Sequence, residues 1–495
     1  MTSIYEVVRA GSTELPDEEE FRLGSGIRFA PGAREGVLTR YWAGEEEGSV
    51  EDAVAELHAA LVRLADRPGR RTRKRARELL RRADARSYAD PLVARLESFL
   101  PRDPDRLHGE LRRIFLESDQ RQEVKLAAVL LGPFGRSEDA ELFRTIGRHE
   151  EFTLYAAVAL AHVVPDPLPE WEELLRHVSG WGKTELAALM LRDPQPGVRD
   201  LLIRNGLGTG NALELAVGCR LHEALAVDDP DDELVRGAGD IIHALAFPTD
   251  SPEDLGEYPD AGVAVERYLE LLEPRADSLE DFVRVDDVRR FVDDTGSDRL
   301  AGCGFDDDRK ERVLACCARI LERPKWRTLV EPILASGAPA RWPALLVARR
   351  LGLDVRAYAA ARLEADPTDE RMWHELVVDA DRAGLREAIE LAVRLLDLDR
   401  IRVHENMPLF GQGPEAAAVD SIVPRLEEFP GLGAEILEPA LRSPVPRHRH
   451  LAIRALARWT RDDMPPKLRT LLEAVAHGDP DDDLRAAAAA VIGRV

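Results

Sequence analysis

One short pattern, written twice and far apart, restricts what this chain can fold into. Asp193-Pro194-Gln195-Pro196-Gly197-Val198-Arg199 and Asp479-Pro480-Asp481-Asp482-Asp483-Leu484-Arg485 both read D-P-x-x-x-[VL]-R. After the second copy, Leu484, Ala487, Ala488 and Val491 fall at i, i+3, i+4 and i+7, one face of a helix. Similar small-residue helix cores recur as LAAVLL (126–131), YAAVAL (155–160), LAALML (186–191) and LAVGCR (215–220), at spacings of 29, 31 and 29 residues. They return as IIHALA (241–246), LACCAR (314–319), LLVARR (345–350) and LAIRAL (451–456). A period near 30 with helical periodicity inside each unit predicts stacked antiparallel helix pairs, in which small residues let neighbouring helices approach closely. Acids at the start of such a helix suit its N-cap and its positive end. The closing arginine is placed to reach a loop of its own or the next unit.

This pattern resembles HEAT repeats, the helix-pair units of armadillo-like α-solenoids, over most of residues 100–495. The resemblance implies an all-α solenoid whose structural repeat residues include Asp193, Arg199, Asp479 and Arg485. It implies little about function, because such solenoids serve as scaffolds, adaptors and occasionally enzymes.

The expected organisation has four parts. Residues 1–48 form an irregular or β-hairpin arm, since Ile27 and Phe29 alternate before Pro31-Gly32, and Val37, Thr39 and Tyr41 alternate after it. Residues 49–246 are helical repeats. Residues 247–311 are an acidic insert with two long loops, near 247–261 and 294–308. Residues 312–495 are helical repeats again, interrupted by an irregular link near 403–414. A chain of 495 residues suits this plan, because each repeat needs only its neighbours for a core.

Charge is unevenly placed. The formal net charge is −24; residues 228–308 hold 25 acids and 7 arginines, whereas residues 50–100 hold 8 acids and 12 bases. The basic segment is an amphipathic helix carrying Arg70, Arg71, Arg73, Lys74, Arg75, Arg77, Arg81 and Arg82, with Ala76, Leu79, Leu80 and Ala83 turned inward. It is a candidate face for phosphate or an acidic protein, set against the plainer reading of a solvated surface. No aromatic residue interleaves it, which disfavours single-stranded nucleic acid. The acidic segment carries Asp293, Asp294, Asp298, Asp306, Asp307 and Asp308, a candidate steering loop for a basic protein. It lacks the alternating acids, central glycine and closing glutamate of a calcium-binding loop.

No phosphate-binding loop, dinucleotide fingerprint, nucleophile elbow or zinc-protease motif is present. The cysteines Cys219, Cys303, Cys316 and Cys317 have no metal-ligand spacing, and no cofactor is expected. Four His-Glu dipeptides, beginning at His149, His222, His374 and His404, resemble the ligand set of the di-iron HEAT hydroxylase of deoxyhypusine, but their spacing is not two matched pairs. Trp171, Trp181, Trp326, Trp342 and Trp373 would be the aromatics of a HEAT-like alkyl-base DNA glycosylase, a function that so acidic a chain suits poorly. The start of the chain has no signal-peptide pattern, and its longest apolar run is too short to span a membrane, so a cytoplasmic protein is expected. The leading expectation is a non-enzymatic scaffold, adaptor or immunity-type protein that binds another protein, a basic one if the acidic segment is the site. A nucleic-acid-associated protein using the basic helix is the alternative.

Overall fold

A computed structural model describes residues 2–18, 30–34, 47–99, 101–227, 229–249, 251–402 and 413–494. These residues form 28 α-helices and no strand, so the class is all-α. The alternating residues Ile27, Phe29, Val37, Thr39 and Tyr41, expected to form a hairpin, lie outside the described residues, as does the link from 403 to 412. The described parts of the arm are a short helix, Ile4–Arg9, the segment after it, and residues 30–34.

Helix starts follow the local chemistry. Asp103 caps Pro104–Glu117 by accepting the Arg106 N–H at 3.0 Å, with proline in the first position, where no donor is needed. Asp231, Asp354 and Asp381 cap Asp232–Ala246, Val355–Ala365 and Arg382–Leu395 in the same way. Asp481 caps Asp482–Ile492. In the last helix Leu484, Ala488 and Val491 are buried, the face expected from their spacing.

The described chain divides into two compact units. One comprises residues 1–277 with 284–321, the other residues 278–283 with 322–495. Within each, the most extensive contacts join helices that are neighbours or near neighbours along the chain. In the first unit, Tyr5, Phe115 and Phe143 stack in series with centroids 5.7 and 6.0 Å apart. In the second, Trp326 and Trp373 are fully buried, and Trp326 meets Phe282 edge-on at 5.7 Å. Glycine marks two close approaches in the first unit. A Cβ on Gly237 would lie 2.2 Å from the Ile203 carbonyl oxygen, and one on Gly262 would lie 2.1 Å from that of Gly304.

Ion pairs join segments that are well separated along the chain. Lys125–Glu151 and Arg144–Glu170 are 26 residues apart, and Arg449–Asp479 are 30 apart. Other pairs are further apart: Arg77–Glu123 is 46, and between residues 240 and 320 Arg284–Asp240 is 44, Arg299–Asp254 is 45 and Arg319–Glu273 is 46. The expected long loop at 294–308 is not a plain loop, because it contains the helix Ser297–Gly302, and the next helix, Asp307–Leu321, begins inside it. Here helices are longer and further apart in sequence, so a fixed period of 30 loses them while the packing continues.

Candidate functional site

The basic helix forms with the expected bounds, Arg70–Arg82, with Ala76 and Leu80 buried. Its charges are largely answered from within the molecule. Arg73 grips Glu110 with two hydrogen bonds, Nε to Oε2 at 2.9 Å and Nη2 to Oε1 at 2.7 Å, and this bonding holds the Glu110 carboxyl below its usual range. Arg77 and Arg81 both donate to Glu123, at 2.8 and 3.1 Å, and the Glu123 side chain is completely buried. Arg75 pairs with Glu56, and Lys74 lies 3.8 Å from Glu78. Arg70, Arg71 and Arg82 are exposed and have no ion-pair partner among the described residues.

The acidic candidates divide in the same manner. Asp306 accepts the Arg309 N–H at 2.7 Å, the N-cap position of Asp307–Leu321, and Asp307 and Asp308 sit in that helix's first turn, where negative charge complements its dipole. Asp293 pairs with Arg289 at 2.9 Å. Asp294, Asp298, Asp307 and Asp308 are exposed and have no ion-pair partner among the described residues.

The two repeat copies behave differently. Arg485 donates to the Asp479 carbonyl oxygen at 2.6 Å, and the Asp479 carboxylate receives Arg449 through Nε and Nη2 at 2.6 and 3.0 Å. At the other copy, Asp193 accepts the Gln195 side-chain amide at 2.9 Å, and the Arg199 Nε is buried with no hydrogen-bond partner among the described residues.

The His-Glu dipeptides do not assemble. Glu150 accepts the N–H groups of Ser179, Gly180 and Gly182 at 2.6, 2.8 and 2.6 Å, closing the start of Trp181–Met190. His149 lies 3.2 Å from the Thr13 carbonyl oxygen, and its Nδ1 accepts the Glu151 N–H; burial lowers its pKa despite the Thr13 contact. His222 meets the Tyr258 hydroxyl at 3.1 Å, Glu375 pairs with Arg349, His374 is exposed, and His404 is outside the described residues. Among the described residues, no three His, Cys, Asp or Glu side chains are grouped to hold a metal. Of the tryptophans, Trp326 and Trp373 are core residues, Trp171 and Trp181 are half-buried, and Trp342 is 38% exposed.

A Ser–His–Asp set does assemble in the second unit: the Ser443 Oγ is 2.8 Å from the His448 Nδ1, and the His448 Nε2 is 3.6 Å from Asp420. Ser443 is 2% exposed and His448 is fully buried, and the Ser443 oxygen also accepts the Val445 N–H. No substrate carbonyl reaches a hydroxyl so enclosed, so the set serves the turn and not acyl transfer.

The densest charged site is one that sequence reasoning passed over. Arg121–Leu131 carries Arg121, Glu123 and Lys125, all buried. Glu123 serves the basic helix. Arg121 and Lys125 serve the N-terminal arm. Asp17 accepts the Arg121 backbone N–H at 2.7 Å and its Nε and Nη2 at 3.1 Å each; Glu18 takes Nη2 at 3.2 Å. Lys125 donates to Glu151 at 2.6 Å, and Glu151 also accepts the Gly32 N–H at 2.8 Å. Burial pushes the Glu151 carboxyl up, but Lys125, Arg121 and the Gly32 N–H outweigh it and hold the group at about 2. The available sequence signal was a lysine flanked by Val124 and Leu126, opening the apolar run of its helix, four residues after an arginine. Its partners are 26 residues downstream and, through Asp17, 104 upstream of Arg121, which no local pattern reveals. No helix is long and apolar enough to cross a membrane among the described residues. No family model matches the chain, and no curated protein is significantly similar to it.

Proposed function

We propose that the chain is a non-enzymatic interaction protein, a HEAT-like solenoid whose acidic surface within residues 228–308 receives a basic protein. The observation that supports this reading is the charge of that segment, 25 acids against 7 arginines, with Asp294, Asp298, Asp307 and Asp308 exposed and without ion-pair partners among the described residues. Exposed acids at a surface speed the encounter with a basic partner and are screened by salt over about 8 Å at physiological ionic strength.

The full chain, tagged and recovered from its native cell, should retain a protein partner after nuclease treatment. With that partner in hand, Asp298→Asn, Asp307→Asn and Asp308→Asn together should slow association several-fold at low salt and leave dissociation unchanged. Asp306 is left intact because it caps a helix. Co-purification of nucleic acid alone, abolished by changing Arg70 and Arg71, would replace this reading with the nucleic-acid one. Equal association rates for wild type and the triple variant would remove the acidic surface from it.

A further inference from the structure

Two helices of the second unit hold a groove open between them. Val355–Ala365 and Arg382–Leu395 run in the same direction, because Arg356 donates to Glu387 at 3.1 Å toward their starts and Arg394 donates to Glu364 at 3.0 Å toward their ends. Arg356 and Glu364 are eight residues apart, so these two clasps stand about 12 Å apart along the helix. Between them lies a groove of about 460 Å³. Ala357 and Ala360 line it from one helix, Glu390 and Leu391 from the other, and Leu376 from the intervening helix Glu370–Val377. Alanine at 357 and 360 leaves the space that longer side chains would fill. Gly384 seats one clasp, since a Cβ there would lie 2.2 Å from the Arg356 Nη2.

Four carboxylates, Asp354, Glu364, Glu387 and Glu390, border this groove against two guanidiniums, Arg356 and Arg394. Asp354 is committed to capping Val355–Ala365 through the Ala357 N–H at 2.9 Å, and Glu364 and Glu387 are committed to the clasps. Glu390 is exposed and has no hydrogen-bond or ion-pair partner among the described residues. We propose that the groove receives a lysine or arginine side chain of a partner protein, its stem lying on Ala357, Ala360 and Leu391 and its charged end meeting Glu390. An anion would face the surplus of carboxylates. A wholly apolar side chain would strip water from Glu390 and return no hydrogen bond. A side chain with an aliphatic stem and a cationic tip suits both the apolar lining and the acid. Complementary charge at such a groove fixes the register of the partner and rejects partners of the wrong sign. This site uses none of the acids within residues 228–308, so either surface can fail its test while the other passes.

The probes are three short capped peptides, acetyl-glycine-X-photoleucine-glycine amide, with lysine, arginine or norleucine at X. Norleucine keeps the stem and removes the charge. Each is irradiated at millimolar concentration with the full chain, and the labelled residues are located by mass spectrometry. The lysine peptide, the arginine peptide or both should label Val355–Ala365 and Arg382–Leu395 about threefold to fivefold more than the norleucine peptide, the range expected of one half-exposed ion pair. Glu390→Gln should bring the basic peptides down to the norleucine level, and it should keep the helical circular dichroism because Glu390 is exposed and unpaired among the described residues. Ala360→Phe, which fills the groove, should remove the labelling by all three peptides. Equal labelling by basic and norleucine peptides overturns the proposal, as does charge-dependent labelling that survives Glu390→Gln or that centres on other helices. If Ala360→Phe fails to fold, the Glu390→Gln comparison decides alone.

Discussion

Asp479→Ala is the sharpest test of the ionic links between helix layers. Asp479 and Arg449 are 8% and 7% exposed, and four hydrogen bonds converge on their side chains. Arg449 gives two to the Asp479 carboxylate at 2.6 and 3.0 Å and one to the Ser443 carbonyl oxygen at 2.7 Å, and the Asp481 N–H gives one to Asp479 at 3.0 Å. The substitution removes three of the four and leaves the guanidinium buried beside one carbonyl. Breaking a buried pair from one side costs about 3–5 kcal/mol, mostly the stranded charge. Amide hydrogen exchange of Pro446–Leu456 and Asp482–Ile492, read by mass spectrometry, should accelerate by roughly a hundredfold to several thousandfold, at about 1.4 kcal/mol per decade. Arg121–Leu131, in the other unit, should exchange as in wild type. The double variant Arg449→Met with Asp479→Leu should recover to within about 1 kcal/mol of wild type, since an apolar pair of similar size is often neutral. Exchange within fivefold of wild type for the single variant, or equal losses in single and double variants, would refute the stranded-charge argument.

Further outcomes follow from other contacts. Glu151 contributes stability above its ordinary value of 4.5 and loses it as the pH falls toward about 2; Glu151→Gln should lower the melting temperature at pH 7 and flatten acid unfolding between those values. Glu123→Gln, which removes the buried carboxylate shared by the partly exposed Arg77 and Arg81, should cost about 1–2 kcal/mol in urea unfolding, whereas Arg71→Ala on the same helix as those arginines should stay within about 0.5 kcal/mol. Burial raises Cys219, Cys316 and Cys317 to about 12, 11 and 12, so a thiol reagent at pH 8 should label the native chain slowly and all four cysteines promptly in urea. Gly237→Ala forces two helices apart at the Ile203 carbonyl and should destabilise by about 1–3 kcal/mol in the same urea assay.

The helical class was legible because a small residue at a close helix contact must recur wherever the contact recurs, as at Leu126–Leu131 and Tyr155–Leu160. The basic helix was legible from the spacing of its inward residues, Ala76 and Leu80 among them. Its purpose was not, because Glu110 and Glu123 are 37 to 46 residues from the arginines they bind. Asp306 resembled a free surface acid until the helix it caps was seen. Arg199 and Arg485 share a motif, yet Arg485 bonds the Asp479 carbonyl oxygen while the Arg199 Nε has no hydrogen-bond partner among the described residues. The charged cluster at Arg121 and Glu151 depends on Asp17 and Gly32, which are 104 and 119 residues from their partners. Periodicity reports what a helix must bury, and it is silent on which distant charge meets it.

The spacing of the ion pairs also sets an order of events during synthesis. A ribosome adds about 5–20 residues per second. Links spanning 26 to 46 residues therefore find both partners within roughly 1–9 s of the first being made, so each layer is neutralised by the next while the rest is still unmade. Some links are much longer: Arg86 is translated 99 residues before Glu185. Asp17 is translated 104 residues before Arg121, and Gly32 is translated 119 before Glu151. The N-terminal segment thus leaves the ribosome early and docks late, after the surface that receives it has been built.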